Sequence, residues 1–158
     1  VSENKFKTLR HIETVRNFLG GVVAELLKRA EEHDQSKLQS PEVEVFEEYT
    51  AKLRDCTYGS AEYKTYLDGM GVALEHHYKV NRHHPEHFGE IAKMNLIDIT
   101  EMLCDWKAAT LRHANGDIYK SIEFNQKRFG YSDEMKQVLI NTVRMLDLLE
   151  VKHFAEES

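Results

Sequence analysis

Five histidines, His76, His77, His83, His84 and His87, fall within twelve positions of a chain that holds nine in all. Imidazoles gathered so densely are the side chains most suited to hold a transition metal near neutral pH. A second pair, His33-Asp34, offers a nitrogen and a carboxylate oxygen to one point, the mixed donor set that a hydrolytic metal centre uses. His11 lies upstream in an amphipathic stretch, and a crossing helix would be required to bring it beside His33. That helix is expected downstream, where Asp98, Glu101 and Asp105 recur at i, i+3 and i+7 in a mostly apolar run and so share one helical face. Acids on such a face need solvent or a cation, and Asp105, beside Trp106, reads as a half-buried acid turned towards a metal. Of His76 and His77, which project about 100° apart on a helix, His77 is the favoured ligand. Pro85 pushes His84 to an extended backbone. His83 and His84 then point differently, one towards the metal and one towards substrate. Lys37 follows Asp34 by three residues, where a phosphate on the metal would lie. Arg82, Lys107 and Arg112 are further cations for a phosphoryl oxygen whose charge grows in a transition state.

These residues need elements to position them, and the pattern is helical throughout. Helix-spaced apolar residues predict a first helix over 4–19 and a second over 22–32, separated by Gly20-Gly21. Ser40-Pro41-Glu42 predicts a helix start with an N-cap and an N1 proline, continuing to Asp55. Gly59-Ser60 opens a fourth helix to Val80, and a fifth is expected from Ile91 to His113. Asp117 caps a sixth to Phe129, and Ser132-Asp133-Glu134 starts a last one ending near Phe154. The expectation is one all-α domain over residues 1–158, with about seven helices and short loops.

Only two prolines occur, which leaves most of the chain free to be helical. Net charge is −6 with the cations dispersed, which excludes a general nucleic-acid binder but not a small phosphorylated ligand. Cys56 and Cys104 do not form a zinc-finger pattern, and Cys104 reads as a core thiol. No apolar run approaches the roughly 20 residues that span a bilayer, and no secretory leader is visible. A cytoplasmic protein that does not engage membranes is expected. The last helix, with Val138, Leu139, Val143, Leu146, Leu149 and Val151, suits either the core or a homodimer interface.

The order His11, His33-Asp34, the histidines of 77–87 and then Asp105 resembles the HD-domain superfamily of helical phosphohydrolases, whose ligands follow H…HD…D. His33-Asp34-Gln35-Ser36-Lys37 with Pro41 is similar to the HDxGKxxxP signature of the branch that hydrolyses cyclic dinucleotides. Here Ser36 replaces its glycine, Pro85 stands where its paired histidines precede Glu, and its GYP tripeptide is missing. The blocks HHPEHF (83–88) and EMLCDWKAATLRH (101–113) resemble a family of small, functionally uncharacterised phage and bacterial proteins; a phage-encoded member would act in a host cytoplasm.

The resemblance implies an HD-like helical domain with His11, His33, Asp34 and Asp105 as metal ligands. It implies Lys37 on the phosphate side, and His83 and His84 at a second metal or the substrate. One or two divalent ions of Fe, Mn, Zn, Co or Ni are expected, with Asp34 bridging if there are two. The implied activity is hydrolysis of a phosphoester in a small nucleotide by a metal-activated water. Asp34, Lys37 and His84 would serve catalysis; Lys37, Arg82, His83, Lys107 and Arg112 would bind substrate. Two other readings stand beside it: an HD-like di-iron oxygenase, and a non-enzymatic helical binding protein such as a phage inhibitor of a host factor.

Overall fold

The computed structural model describes residues 2–54, 56–57, 60–112 and 115–153, the side chains at 50, 51, 53, 54, 67 and 148–153 excepted. Every regular element among them is helical. The chain divides into two units, residues 1–33 and 34–158.

The first unit is one helix, α1 (Glu3–Glu32), capped by the Ser2 hydroxyl. The break expected at Gly20-Gly21 does not occur. A glycine costs a helix only about 1 kcal/mol relative to alanine, and good helix formers on both sides carry the hydrogen-bonded ladder through. His33 is its half-buried C-cap residue.

The second unit opens with Asp34 and a 3-10 turn, Gln35–Leu38. Next come α2 (Val43–Arg54), α3 (Ala61–Gly69), α4 (Gly71–Val80) and the single turn α5 (Pro85–Phe88). A second 3-10 turn, Ile91–Lys93, leads to α6 (Leu96–Thr110), α7 (Ile118–Phe129) and α8 (Asp133–His153). Three starts differ from expectation. Pro41, whose bond to Ser40 is cis, lies in the turn before α2 and not in its first helical turn. The helix expected over 61–80 is split at Met70. There Gly69 lets the Tyr49 ring come so close that an added Cβ would lie 2.7 Å from its hydroxyl oxygen. The helix expected from Ile91 starts at Leu96, because Asn95 and Asp98 form a reciprocal capping box. Asp117 caps α7, as the sequence predicts, and Gly130 ends it in the left-handed conformation. The expected boundaries at Asp55, Gly59, His113 and Phe154 lie outside the described residues.

The apolar core belongs to α6, α7 and α8. Met102 and Leu103 on α6, Ile122 on α7, and Leu139 and Val143 on α8 are almost fully buried. Each such side chain is worth about 1.5–3 kcal/mol of burial. The buried Tyr131 hydroxyl donates to the Ile122 carbonyl, and desolvation holds its pKa above the usual tyrosine range. Trp106 stacks on Phe129 at 6.3 Å with the rings nearly parallel. Leu139 and Val143 thus serve the core, whereas Val138 is exposed; Leu149 and Val151 have side chains outside the described set. Cys104 is exposed, not in the core, because it sits on the flank of α6 away from Met102 and Leu103. No helix among the described residues is long and apolar enough to cross a membrane.

Candidate metal centre

Asp34 begins the site. Its backbone is left-handed (φ 56°), a region that aspartate enters more readily than most residues. The 3-10 turn that follows returns Lys37 to it, and the Lys37 ammonium donates to Asp34 Oδ2 at 2.5 Å.

His77 arrives from the last turn of α4 and is held from behind by Glu42. Glu42 stands just before α2, is completely buried, and accepts three hydrogen bonds. His76 Nδ1 lies 2.6 Å from its Oε1, His77 Nδ1 lies 2.9 Å from its Oε2, and the Ser36 hydroxyl donates to Oε2 at 3.0 Å. The Asn81 amide completes the set, donating to Ser36 Oγ and to the His77 carbonyl. Adjacent helical histidines diverge, and the two oxygens of one buried carboxylate accept both Nδ1–H groups. That fixes the His77 tautomer with its Nε2 lone pair facing away from Glu42.

His83 and His84 come from the loop between α4 and α5. Arg82 ties this loop to α6 through a two-pronged pair with the fully buried Asp98, both contacts 3.1 Å. One helical turn further along α6, Glu101 Oε1 lies 3.1 Å from His83 Nδ1 and fixes that imidazole as Glu42 fixes His77. His84 is extended (φ −94°, ψ 127°) before Pro85, as expected. Its Nε2 lies 2.9 Å from His77 Nε2.

The outcome is four donors, from Asp34, His77, His83 and His84, all within 4.8 Å of one another. Asp34 Oδ1 is 3.4 Å from His77 Nε2 and 3.5 Å from His83 Nε2. Two donors on one ion with bonds of about 2.1 Å stand about 3.0 Å apart at a right angle and about 3.4 Å apart in a tetrahedron. The Asp34–His77, Asp34–His83 and His77–His84 separations of 3.4, 3.5 and 2.9 Å lie close to those values, so these four residues could hold a divalent transition metal. Charge points the same way. Burial, with His83 and His77 close by, pushes the His84 pKa down to about 3. Burial and then the Lys37 ammonium lower that of His77, against the opposing pull of Asp34 and Glu42. Neutral imidazoles are the form that binds metal.

Asp105 on α6 offers an oxygen within 4.8 Å of a His83 nitrogen and acts electrostatically on His84. The structure therefore brings together Asp34, His77, His83 and His84, with Lys37 and Asp105 beside them. It does not bring in His11, which lies on the same unbroken helix as His33 and roughly 33 Å along it. The intended return of the chain at Gly20-Gly21 is absent. Arg82 is committed to Asp98 and lies over the Phe88 ring. Lys107 is committed to Asp147 at 2.7 Å. Arg112 is exposed beyond the end of α6. These three are not gathered as a phosphate cradle. Of the other clustered histidines, His76 serves Glu42 and His87 Nδ1 lies 3.0 Å from the Tyr78 carbonyl oxygen.

Sequence reasoning missed Glu42, Ser36 and Asn81, and placed Glu101 only as part of an acidic face. The one available signal was the adjacency of His76 and His77, which asks for a shared acceptor.

Comparison with curated proteins finds no match, and comparison with solved structures finds none either. One family model does match, over residues 1–145, and its description is a family of unknown function, DUF5662. With nearly its whole length matched, the chain belongs to that family.

Proposed function

We propose that the protein is a metal-dependent hydrolase of a phosphoester, with a small nucleotide as the substrate class. The observation that carries this reading is the convergence of Asp34, His77, His83 and His84, with His77 and His83 each backed by a carboxylate. Backing carboxylates of this kind fix ring orientation and raise ligand basicity at metal centres. When bound, a divalent ion of the Fe, Mn, Zn, Co or Ni type supplies Lewis acidity and a nucleophilic water at neutral pH. The chain's own groups do the rest. Glu42 and Glu101 hold two imidazoles in one tautomer, and the loop 81–84, pinned by Arg82, keeps His83 and His84 in place. Lys37 sets a positive charge beside the centre, suited to a phosphoryl oxygen. Asp105 adds a carboxylate able to orient water or hold a proton.

Three imidazoles with one carboxylate also suit iron, which favours a second reading, an iron-dependent oxygenase. Elemental analysis of the purified protein, beside Asp34→Ala and His83→Ala, tests the centre. Hydrolysis of p-nitrophenyl phosphate, bis-p-nitrophenyl phosphate and a panel of deoxynucleotides tests the chemistry. Metal present in the native protein and lost in both variants, with hydrolysis lost in step, supports the proposal. Metal with oxygen consumption but no hydrolysis supports the oxygenase. No metal in any form, even after supplementation, replaces both with a helical binding protein.

A further inference from the structure

We propose that the centre holds a single ion, with Lys37 in the position that a second cation would otherwise take. The inference rests on the metal centre proposed above and concerns the division of labour within Asp34. Its Oδ1 faces the Nε2 atoms of His77 and His83, at 3.4 and 3.5 Å. Its Oδ2 accepts from the Lys37 ammonium at 2.5 Å. A carboxylate that bridges two ions gives one oxygen to each, and here the second oxygen is already engaged by a fixed positive charge.

Three features hold Lys37 there. The 3-10 turn binds its backbone N–H to the Asp34 carbonyl at 2.9 Å. The left-handed backbone of Asp34 fixes the carboxylate from the other side. The Phe46 ring lies under the ammonium, 5.2 Å from its centroid, a favourable cation–π distance. Bringing a second divalent ion to Oδ2 would require breaking a charge-assisted hydrogen bond. It would also set two cations side by side in a half-buried site, where repulsion is poorly screened. Asp34 is therefore a one-oxygen ligand. An anionic substrate group lying between the ion and Lys37 would meet two positive charges without a second metal.

The test titrates the full chain with Co2+ alone and reads stoichiometry by calorimetry and elemental analysis. The native protein saturates at one ion per chain. Lys37→Met keeps most of the length and packing of the side chain over Phe46 but removes the charge and frees Asp34 Oδ2, so the first ion binds at least tenfold tighter and the vacated position opens to a second. Lys37→Arg keeps the charge and the native affinity, and far-UV circular dichroism checks that both variants fold. Two ions per native chain, or Co2+ affinity unchanged or weakened in Lys37→Met, overturns the inference and leaves the hydrolase reading standing. No Co2+ bound by the native chain overturns both.

Discussion

At the scale of single residues, the site is a set of commitments made by charged groups. Glu42 is the clearest: a fully buried carboxylate is tolerated because three donors reach it. Glu42→Gln should leave the helices intact but weaken metal affinity about 10- to 100-fold, the usual cost of losing a carboxylate behind a ligating histidine. A chelator competition titration measures this, and native affinity in the variant would show that His77 needs no such support. Arg82 carries a different commitment. Asp98 is fully buried, so Arg82→Ala strands its charge beside the α6 capping box. About 1–3 kcal/mol of stability should be lost in urea unfolding, together with the placement of His83 and His84. A metal titration of the same variant reads that second effect.

At the scale of elements, the features legible in the sequence were those set by neighbours a few residues away. Asp117 caps α7, Pro85 extends His84, and the i, i+3, i+7 acids of α6 do share a face. Each acid there finds its own partner: Arg82 for Asp98, His83 for Glu101, and the environment of His83 and His84 for Asp105. Long-range pairing stayed hidden. Glu42 meets His76 and His77 across 34 and 35 residues, and as a residue just after a proline it looks like an ordinary helix-start acid. Gly20-Gly21 misled for the opposite reason, since local composition suggested a turn where the surrounding ladder continues. Nothing lies within 4 Å of a Cβ added at either glycine. The double Gly→Ala variant should therefore stabilise α1 by about 1–2 kcal/mol, raising the helical signal on thermal melting. A loss of helicity would restore the hinge.

At the scale of the whole molecule, α6 joins two functions, packing against α7 and α8 through one face and presenting Glu101 and Asp105 from another. Leu139→Ala on α8 should cost about 2–5 kcal/mol by opening a cavity beneath α6, measured by chemical denaturation. The Lys107–Asp147 pair ties α6 to α8 and gives the fold an acid-sensitive contact. The hydrogen bond from Lys107 holds the Asp147 carboxyl below its ordinary pKa. Its contribution is thus present above the unfolded-state pKa and fades as pH falls through the folded one. Asp147→Asn should make the acid limb of the stability–pH curve shallower, read by urea unfolding at a series of pH values, with the remaining slope left to other paired carboxylates such as Asp98.

The stacking of Trp106 on Phe129 has a practical consequence. Trp106 is the sole tryptophan of the chain and the immediate neighbour of Asp105. Its emission is an optical signature of one place, the seam between α6 and α7, uncontaminated by any other indole. Loosening of that seam would shift the emission maximum to longer wavelength. A paramagnetic ion such as Co2+ or Ni2+ lodged near Asp105 would quench it without a shift. The protein thus carries an internal fluorophore whose colour and brightness report different events, so unfolding and occupancy can be followed in one cuvette without a label.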